Sequence, residues 1–125
     1  MSHYSIMEMD VQRYINEIRS IIGVVACAFV SREGLVLGKY SREGTPSPSL
    51  FAAMCATVLA SAEAACGSVR IENPSLVTIA AADSTILIVS AGEAALIAAV
   101  IDKSADISTV QRQLLDIATG IGGEV

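Results

Sequence analysis

Apolar residues in this chain follow two rhythms. Between residues 7 and 22, Met7, Val11, Tyr14, Ile15, Ile18 and Ile22 recur at helical intervals, with Glu8, Arg13, Glu17 and Arg19 on the other side. That spacing predicts a helix with one buried face. Ser5 and Glu8 fit the S-x-x-E capping box that opens such a helix, and Gly23 ends it. The rhythm then changes. "VVACAFV" (24–30) and "LVLGKY" (35–40) are β-rich runs on either side of a four-residue Ser-Arg-Glu-Gly turn, which predicts a hairpin. "LVTIAAA" (76–82), "TILIVSA" (85–91) and "ALIAAVID" (95–102) read as three strands joined by tight turns at Asp83-Ser84 and Gly92-Glu93. Helical character returns twice. Ser47 and Pro48 suit the N-cap and first position of a helix running to Cys66 and stopped by Gly67. Asp106 or Ser104 can cap a final helix that buries Ile107, Val110, Leu114, Ile117 and Ile121. The predicted order is αββαβββα, an α+β arrangement with no linker, so residues 1–125 form one domain.

Ser-Arg-Glu-Gly occurs twice, at 31–34 and 41–44. Two phosphate-cradling loops would each precede a helix, with a Lys and a Ser or Thr following. Neither copy does. They bracket one short strand and lie at its opposite ends, so they are turn chemistry used twice. The second opens a Ser-, Gly- and Pro-rich loop, "SREGTPSP".

Composition narrows the function classes. Over half of the residues are apolar, yet only 4% are aromatic and Trp is absent. Such a core favours close approach between elements over large pockets. The net charge is −5, and the eight Lys and Arg residues are scattered, so no nucleic-acid footprint is expected. Cys27, Cys55 and Cys66 have no zinc spacing, and an odd number within apolar runs predicts reduced, buried thiols in a cytoplasmic protein. The start, "MSHYSIMEMD", has no basic stretch followed by an apolar run, so no secretory signal is expected. The stretch from Leu76 to Ile101 is apolar, but Asp83 and Glu93 divide it into runs too short to span a bilayer, so no membrane insertion is expected.

Catalytic chemistry has few candidates. His3 is the sole histidine and lies near the terminus, away from any core that would hold it in a triad. No metal-ligand spacing or cofactor motif stands out, so neither a metal nor a cofactor is expected. Gly120, Gly122 and Gly123 have no helix after them to receive a phosphate, and read as a frayed tail. Glu72, Asp83, Glu93 and Asp102 fall near strand ends, where acidic turn residues are common, and nothing sets two of them across a cleft.

The middle helix is the unusual element. At 100° per residue, Phe51, Met54, Cys55, Val58, Ala62 and Ala65 share the side expected to face the sheet. The other side carries Ser49, Ala53, Ala56, Ala60 and Ala64, with Glu63 at its margin. Alanine is the best helix former and can fill exposed positions on that ground alone. A nearly uncharged side on an otherwise charged small domain also marks a docking surface, and Ser49, Ala53, Ala56, Ala60 and Glu63 are the residues that would line it.

These segments together resemble the roadblock domain family, also known from dynein light chains. "IIGVVACAFVSREGLVLG" is similar to the family's I-x-G-V-x-x-A-x-V-x-S-x-D/E-G strand pair, "LFAAMCATVLASAEAA" to its Ala-rich middle helix, and "ALIAAVIDKSADISTVQRQL" to its last strand and helix. Where many relatives have Asn-Leu-Gly before the final helix, this chain has Asp106-Ile107-Ser108, which keeps a capping and an apolar residue. The resemblance implies a roadblock/profilin-like sandwich: a five-stranded antiparallel sheet, the middle helix on one face and the terminal helices on the other. It implies homodimers in which the middle helices pair and the third strands join two sheets. In that strand order Leu76, Val77, Thr78 and Ile79 lie on an uncharged edge that invites pairing, while Lys39 blocks the opposite edge. Through the family's prokaryotic branch it further implies a non-enzymatic scaffold that binds and regulates a small Ras-like GTPase, in some relatives as a GTPase-activating partner; such a partner need not supply a catalytic arginine and can act by ordering the GTPase's own residues. A small-molecule sensor of similar topology and a purely structural adaptor are the alternatives.

Overall fold

The structure, a computed structural model, describes residues 10–124. Its elements are α1 (Val11–Arg19), β1 (Val24–Ser31), β2 (Val36–Ser41), α2 (Pro48–Ser68), β3 (Leu76–Ala80), β4 (Ser84–Ala91), β5 (Ala95–Asp102) and α3 (Ile107–Glu124). The strands form one antiparallel sheet in the order β2-β1-β5-β4-β3. One face is covered by α2, the other by α1 and α3. The architecture is the α+β sandwich expected from the sequence.

Central β5 shows why its sequence does not alternate. Leu96 and Ala98 pack toward α2, while Ile97, Ala99 and Ile101 pack toward α1 and α3. A strand covered on both faces is apolar at every position. The larger core lies on the α1/α3 face, where Tyr14, Ile15 and Ile18 of α1 and Val110, Leu114 and Ile121 of α3 meet Phe29, Leu87 and Ile97. Edge strand β2 is tied to α1 through a missing side chain. A Cβ at Gly38 would lie 2.6 Å from Val11 Cγ1, so only glycine lets α1 sit this close.

Several local expectations change. The Ser5–Glu8 capping box and Met7 lie outside the described residues. Within them, α1 is capped by Asp10, whose carboxylate accepts the Arg13 N–H at 3.1 Å. The helix ends at Arg19, before Gly23, and Ile22 is 90% exposed and not on the buried face. Its place is taken by Ile21, because the chain turns before Gly23, where φ is +102°. Ser47 occupies the N-cap of α2, but its side chain makes no capping bond, and the helix runs past Gly67 to Ser68. At α3 the cap is Asp106, whose carboxylate accepts the Thr109 hydroxyl at 2.8 Å; that hydrogen bond holds the carboxyl below its ordinary pKa.

The glycine-rich end is not a frayed tail. Gly120, Gly122 and Gly123 lie within α3, which the fully buried Ile121 anchors to the core. A Cβ at Gly122 would meet the Gly92 nitrogen at 3.3 Å, so this glycine admits the β4–β5 turn against the helix.

Candidate functional site

The two Ser-Arg-Glu-Gly copies diverge in role. In the first, Ser31 is buried and closes the hairpin: its hydroxyl and carbonyl accept the N–H groups of Leu35 and Gly34 at 3.1 and 2.9 Å. Gly34 adopts φ +95° and sits where a Cβ would approach the Ala53 backbone of α2 to 3.1 Å. In the second copy Arg42, Glu43 and Gly44 are exposed.

Arg32 of the first copy reaches across the molecule. Its Nη1 donates to both carboxylate oxygens of Glu63 at 3.0 Å, and its Nη2 to Ser90 Oγ at 2.7 Å and the Gly92 carbonyl at 3.1 Å. One guanidinium thus ties the β1–β2 turn, α2 and the β4–β5 turn together. Glu63 is the sole charged residue in α2, so the charge expected at the margin of a docking surface is committed inside the chain.

The rotation of α2 differs from the helical-wheel expectation by roughly a quarter turn. Its core residues are Ala52, Cys55, Ala56 and Leu59, with Phe51 and Val58 half-buried beside them. Ala56 is only 8% exposed and faces the sheet, so it cannot line an outward surface. Ala53 is half-buried beside Gly34. Met54 and Ala65, expected on the sheet side, are exposed. The outward side carries Leu50 (58% exposed), Met54 (51%), Thr57, Ser61 and Ala64, with Ser49 and Ala60 also exposed. It has no charged residue. By length and composition α2 is apolar enough to cross a membrane, and less than a quarter of its most apolar stretch is buried within the chain.

The sheet face that carries α2 ends at the open β3 edge. Ala81 donates to the Ser84 carbonyl and Ser90 to the Ser75 carbonyl, which fixes the phase of the β3–β4 ladder. Hydrogen-bonded and non-hydrogen-bonded pairs alternate in such a ladder. The backbone groups of Val77 and Ile79 therefore face β4, and those of Leu76, Thr78 and Ala80 face outward. Val77 and Ile79 send side chains to the α2 face, and the Thr78 hydroxyl accepts from Gln111 at 3.3 Å on the other.

Among the described residues no group of three or more His, Cys, Asp and Glu side chains is arranged to hold a metal, and His3 lies outside them. Glu72, Asp83 and Glu93 are exposed, and Asp102 accepts the Ser104 N–H at 3.3 Å. Cys27 and Cys55 are buried, and burial pushes each thiol up to about 11, with Arg19 partly opposing this at Cys27. Cys66 is half-buried, not buried as expected. Iodoacetamide at pH 8 should therefore modify Cys66 at least about tenfold faster than Cys27 or Cys55. A thiol pKa raised in the fold stabilises it below the unfolded value and loses that contribution as pH climbs through the folded value. The native protein should lose stability between about pH 9 and about pH 11, and by less when Cys27 and Cys55 are both replaced by Ala.

The Roadblock/LC7 domain model matches residues 11–102, which contain α1, the whole sheet and α2. The chain belongs to the Roadblock/LC7 domain family. Its fold is similar to that of an MglB solved in a tetrameric arrangement, with a TM-score of 0.81 at 18% identity over 90% of this chain and 85% of that one. It is equally similar to the gliding protein MglB of Thermus thermophilus (TM-score 0.81, 17% identity, 90% and 85% covered). A Roadblock/LC7 domain from Streptomyces avermitilis aligns with a TM-score of 0.77 at 14% identity, covering 90% and 95%. Among curated proteins none matches this sequence.

Proposed function

We propose that this Roadblock/LC7 chain is a one-domain, cytoplasmic, non-enzymatic homodimer that binds a small Ras-like GTPase and regulates its nucleotide cycle. The observation that carries the reading is a pair of uncharged surfaces: the outward side of α2, and the open β3 edge, whose Val77 and Ile79 lie on the α2 face of the sheet. A free strand edge without charge is a template for pairing, and an apolar helix on the same face of the sheet extends the contact. Two copies paired through Leu76, Thr78 and Ala80 bring their α2 helices together as one platform. Ser49, Leu50, Met54 and Ala60 are the exposed α2 residues that serve the second subunit, the GTPase or both.

The platform acts by positioning. Arg32 is occupied by Glu63, Ser90 and Gly92, so it is not available as an inserted arginine finger. In this reading a changed hydrolysis rate comes from ordering the GTPase's own loops. The neighbours fit this reading, since MglB is described as a gliding protein and has been solved as an assembly. A sensor function is less well supported: the one buried polar side chain among the described residues, Ser31, is used in its own turn, and a ligand site needs convergent polar groups.

The test is co-purification of the full chain with a small GTPase encoded beside it, loaded with GDP or a GTP analogue, followed by single-turnover hydrolysis. Nucleotide-dependent binding and a changed hydrolysis rate are expected. Binding without any rate change would leave a structural adaptor, and no binding in either nucleotide state would refute the reading.

A further inference from the structure

The edge of the sheet opposite β3 has a different chemistry. Arg42 donates to the Val25 carbonyl, and the register sets Ser41 opposite Ala26, Tyr40 opposite Cys27 and Lys39 opposite Ala28. By ladder alternation, Tyr40 and Arg42 spend their backbone groups on β1, and Lys39 and Ser41 turn theirs outward.

Cations flank those outward groups on both faces of the sheet. Lys39 shares the α2 face with its partner Ala28. On the other face the Arg19 guanidinium lies 4.0 Å from the centroid of the Tyr40 ring. Arg42 follows at the end of the strand. Lys39 and Arg42 are exposed, and neither side chain has an ion pair or hydrogen bond among the described residues. Three of the eight basic residues of a chain with net charge −5 thus gather on one edge; the carboxylates of Glu43 and Asp102 line the cleft beside Arg42, at the end of the strand, and Lys39 and Arg19 flank its middle. Next to it, on the α2 face, runs a groove of about 400 Å³ with Ala26, Ala28 and Val100 in its floor and Pro48 and Phe51 along its side.

A single edge lysine is a device against self-pairing. Cations on both faces do more. They repel a second β2 edge and attract carboxylates, so the same charges that exclude one partner select another. We propose that the β2 edge receives an extended acidic segment of a partner protein, added as a sixth strand. Its main chain pairs with Lys39 and Ser41, its carboxylates lie beside Lys39 and Arg19, and an apolar side chain enters the groove. The groove meets α2 at Pro48 and Phe51, away from Met54 and Ala60 on its outward side, and β2 is the sheet edge opposite β3, so the surface remains available in a dimer formed through those residues and the β3 edge, and it goes beyond the GTPase reading.

Two capped eight-residue peptides test the proposal, one alternating valine with glutamate and the other valine with lysine, each titrated into the full chain and read by amide hydrogen exchange. The glutamate peptide should slow exchange at Lys39 and Ser41. Its affinity should fall at least about tenfold in Lys39→Glu and in Arg42→Glu, and fall again as salt screens the contact. Equal binding of the lysine peptide would overturn the proposal, as would unchanged affinity in both variants or protection at Leu76 and Thr78 instead. It also fails if the Lys39 and Ser41 amides are protected without peptide and lose that protection when residues 2–9 are deleted, because the edge then belongs to the chain's own N-terminal segment. Each outcome is read without a GTPase, so failure here leaves the platform reading standing.

Discussion

Met54→Arg and Ala60→Arg should each give a folded protein that no longer associates. Both positions are exposed on α2, arginine is a good helix former, and neither change removes a core contact. In an assembled platform the new charge would be driven into a close, uncharged helix contact, where an unpaired cation costs several kcal/mol. A loss of about 3 kcal/mol weakens association by roughly a hundredfold. Circular dichroism should be unchanged and the molar mass should fall to that of one chain. Leu59→Arg is the contrast. Leu59 is fully buried against Val30, Ile88 and Leu96, and a charge there has neither partner nor water, so no folded protein is expected. If Met54→Arg and Ala60→Arg both self-associate and bind the GTPase normally, the outward side of α2 is helix-forming filler.

Removing the Arg32 side chain should destabilise the fold far more than removing other surface charges. Arg32→Ala strands the Glu63 carboxylate, of which only 22% is exposed, and removes the guanidinium donor to Ser90 Oγ and the Gly92 carbonyl, leaving them the 3.4 Å bond that Ser90 Oγ donates to that carbonyl. Breaking a buried pair costs about 3–5 kcal/mol; with both side chains about a fifth exposed, about 2 kcal/mol is expected, or roughly 8 °C in Tm for a chain of this size. Glu63→Gln keeps an acceptor for Arg32 and should lose about half of that. The exposed pair of Arg13 and Glu17, at 4.0 Å, is the control: Glu17→Ala should change stability by less than about 0.5 kcal/mol. An Arg32→Ala protein as stable as Glu17→Ala would show that the three-way tie carries no net energy.

The sheet was legible in the sequence because its signals are local. Continuous apolar, β-branched runs and the turns that contain Gly34 and Gly92 place four of the five strands within one residue at either end. β3 stops sooner, at Ala80, because Ala81 already bonds back to Ser84. The phase of α2 was not legible. A helical wheel finds the buried side by contrast with a polar side, and α2 has one charge in 21 residues. With alanine all round, only the sheet decides that Leu59 and Ala56 turn inward and Met54 outward. The partner of Glu63 was hidden for another reason: Arg32 lies 31 residues away, and its sequence looks like ordinary turn chemistry. The one available signal was the isolation of Glu63, since a single charge on an apolar helix seeks a counter-charge. Ile22 misled because helical spacing continues past Arg19 while the backbone already turns toward Gly23.

The central claim is that the α2 side and the β3 edge are interfaces left open in one chain. Light scattering coupled to gel filtration tests it most directly, on the unmodified full chain at micromolar concentration. One chain is 13.0 kDa. The account predicts about twice that mass, unchanged on dilution across the micromolar range; a stable 13.0 kDa species with the same circular dichroism would contradict it.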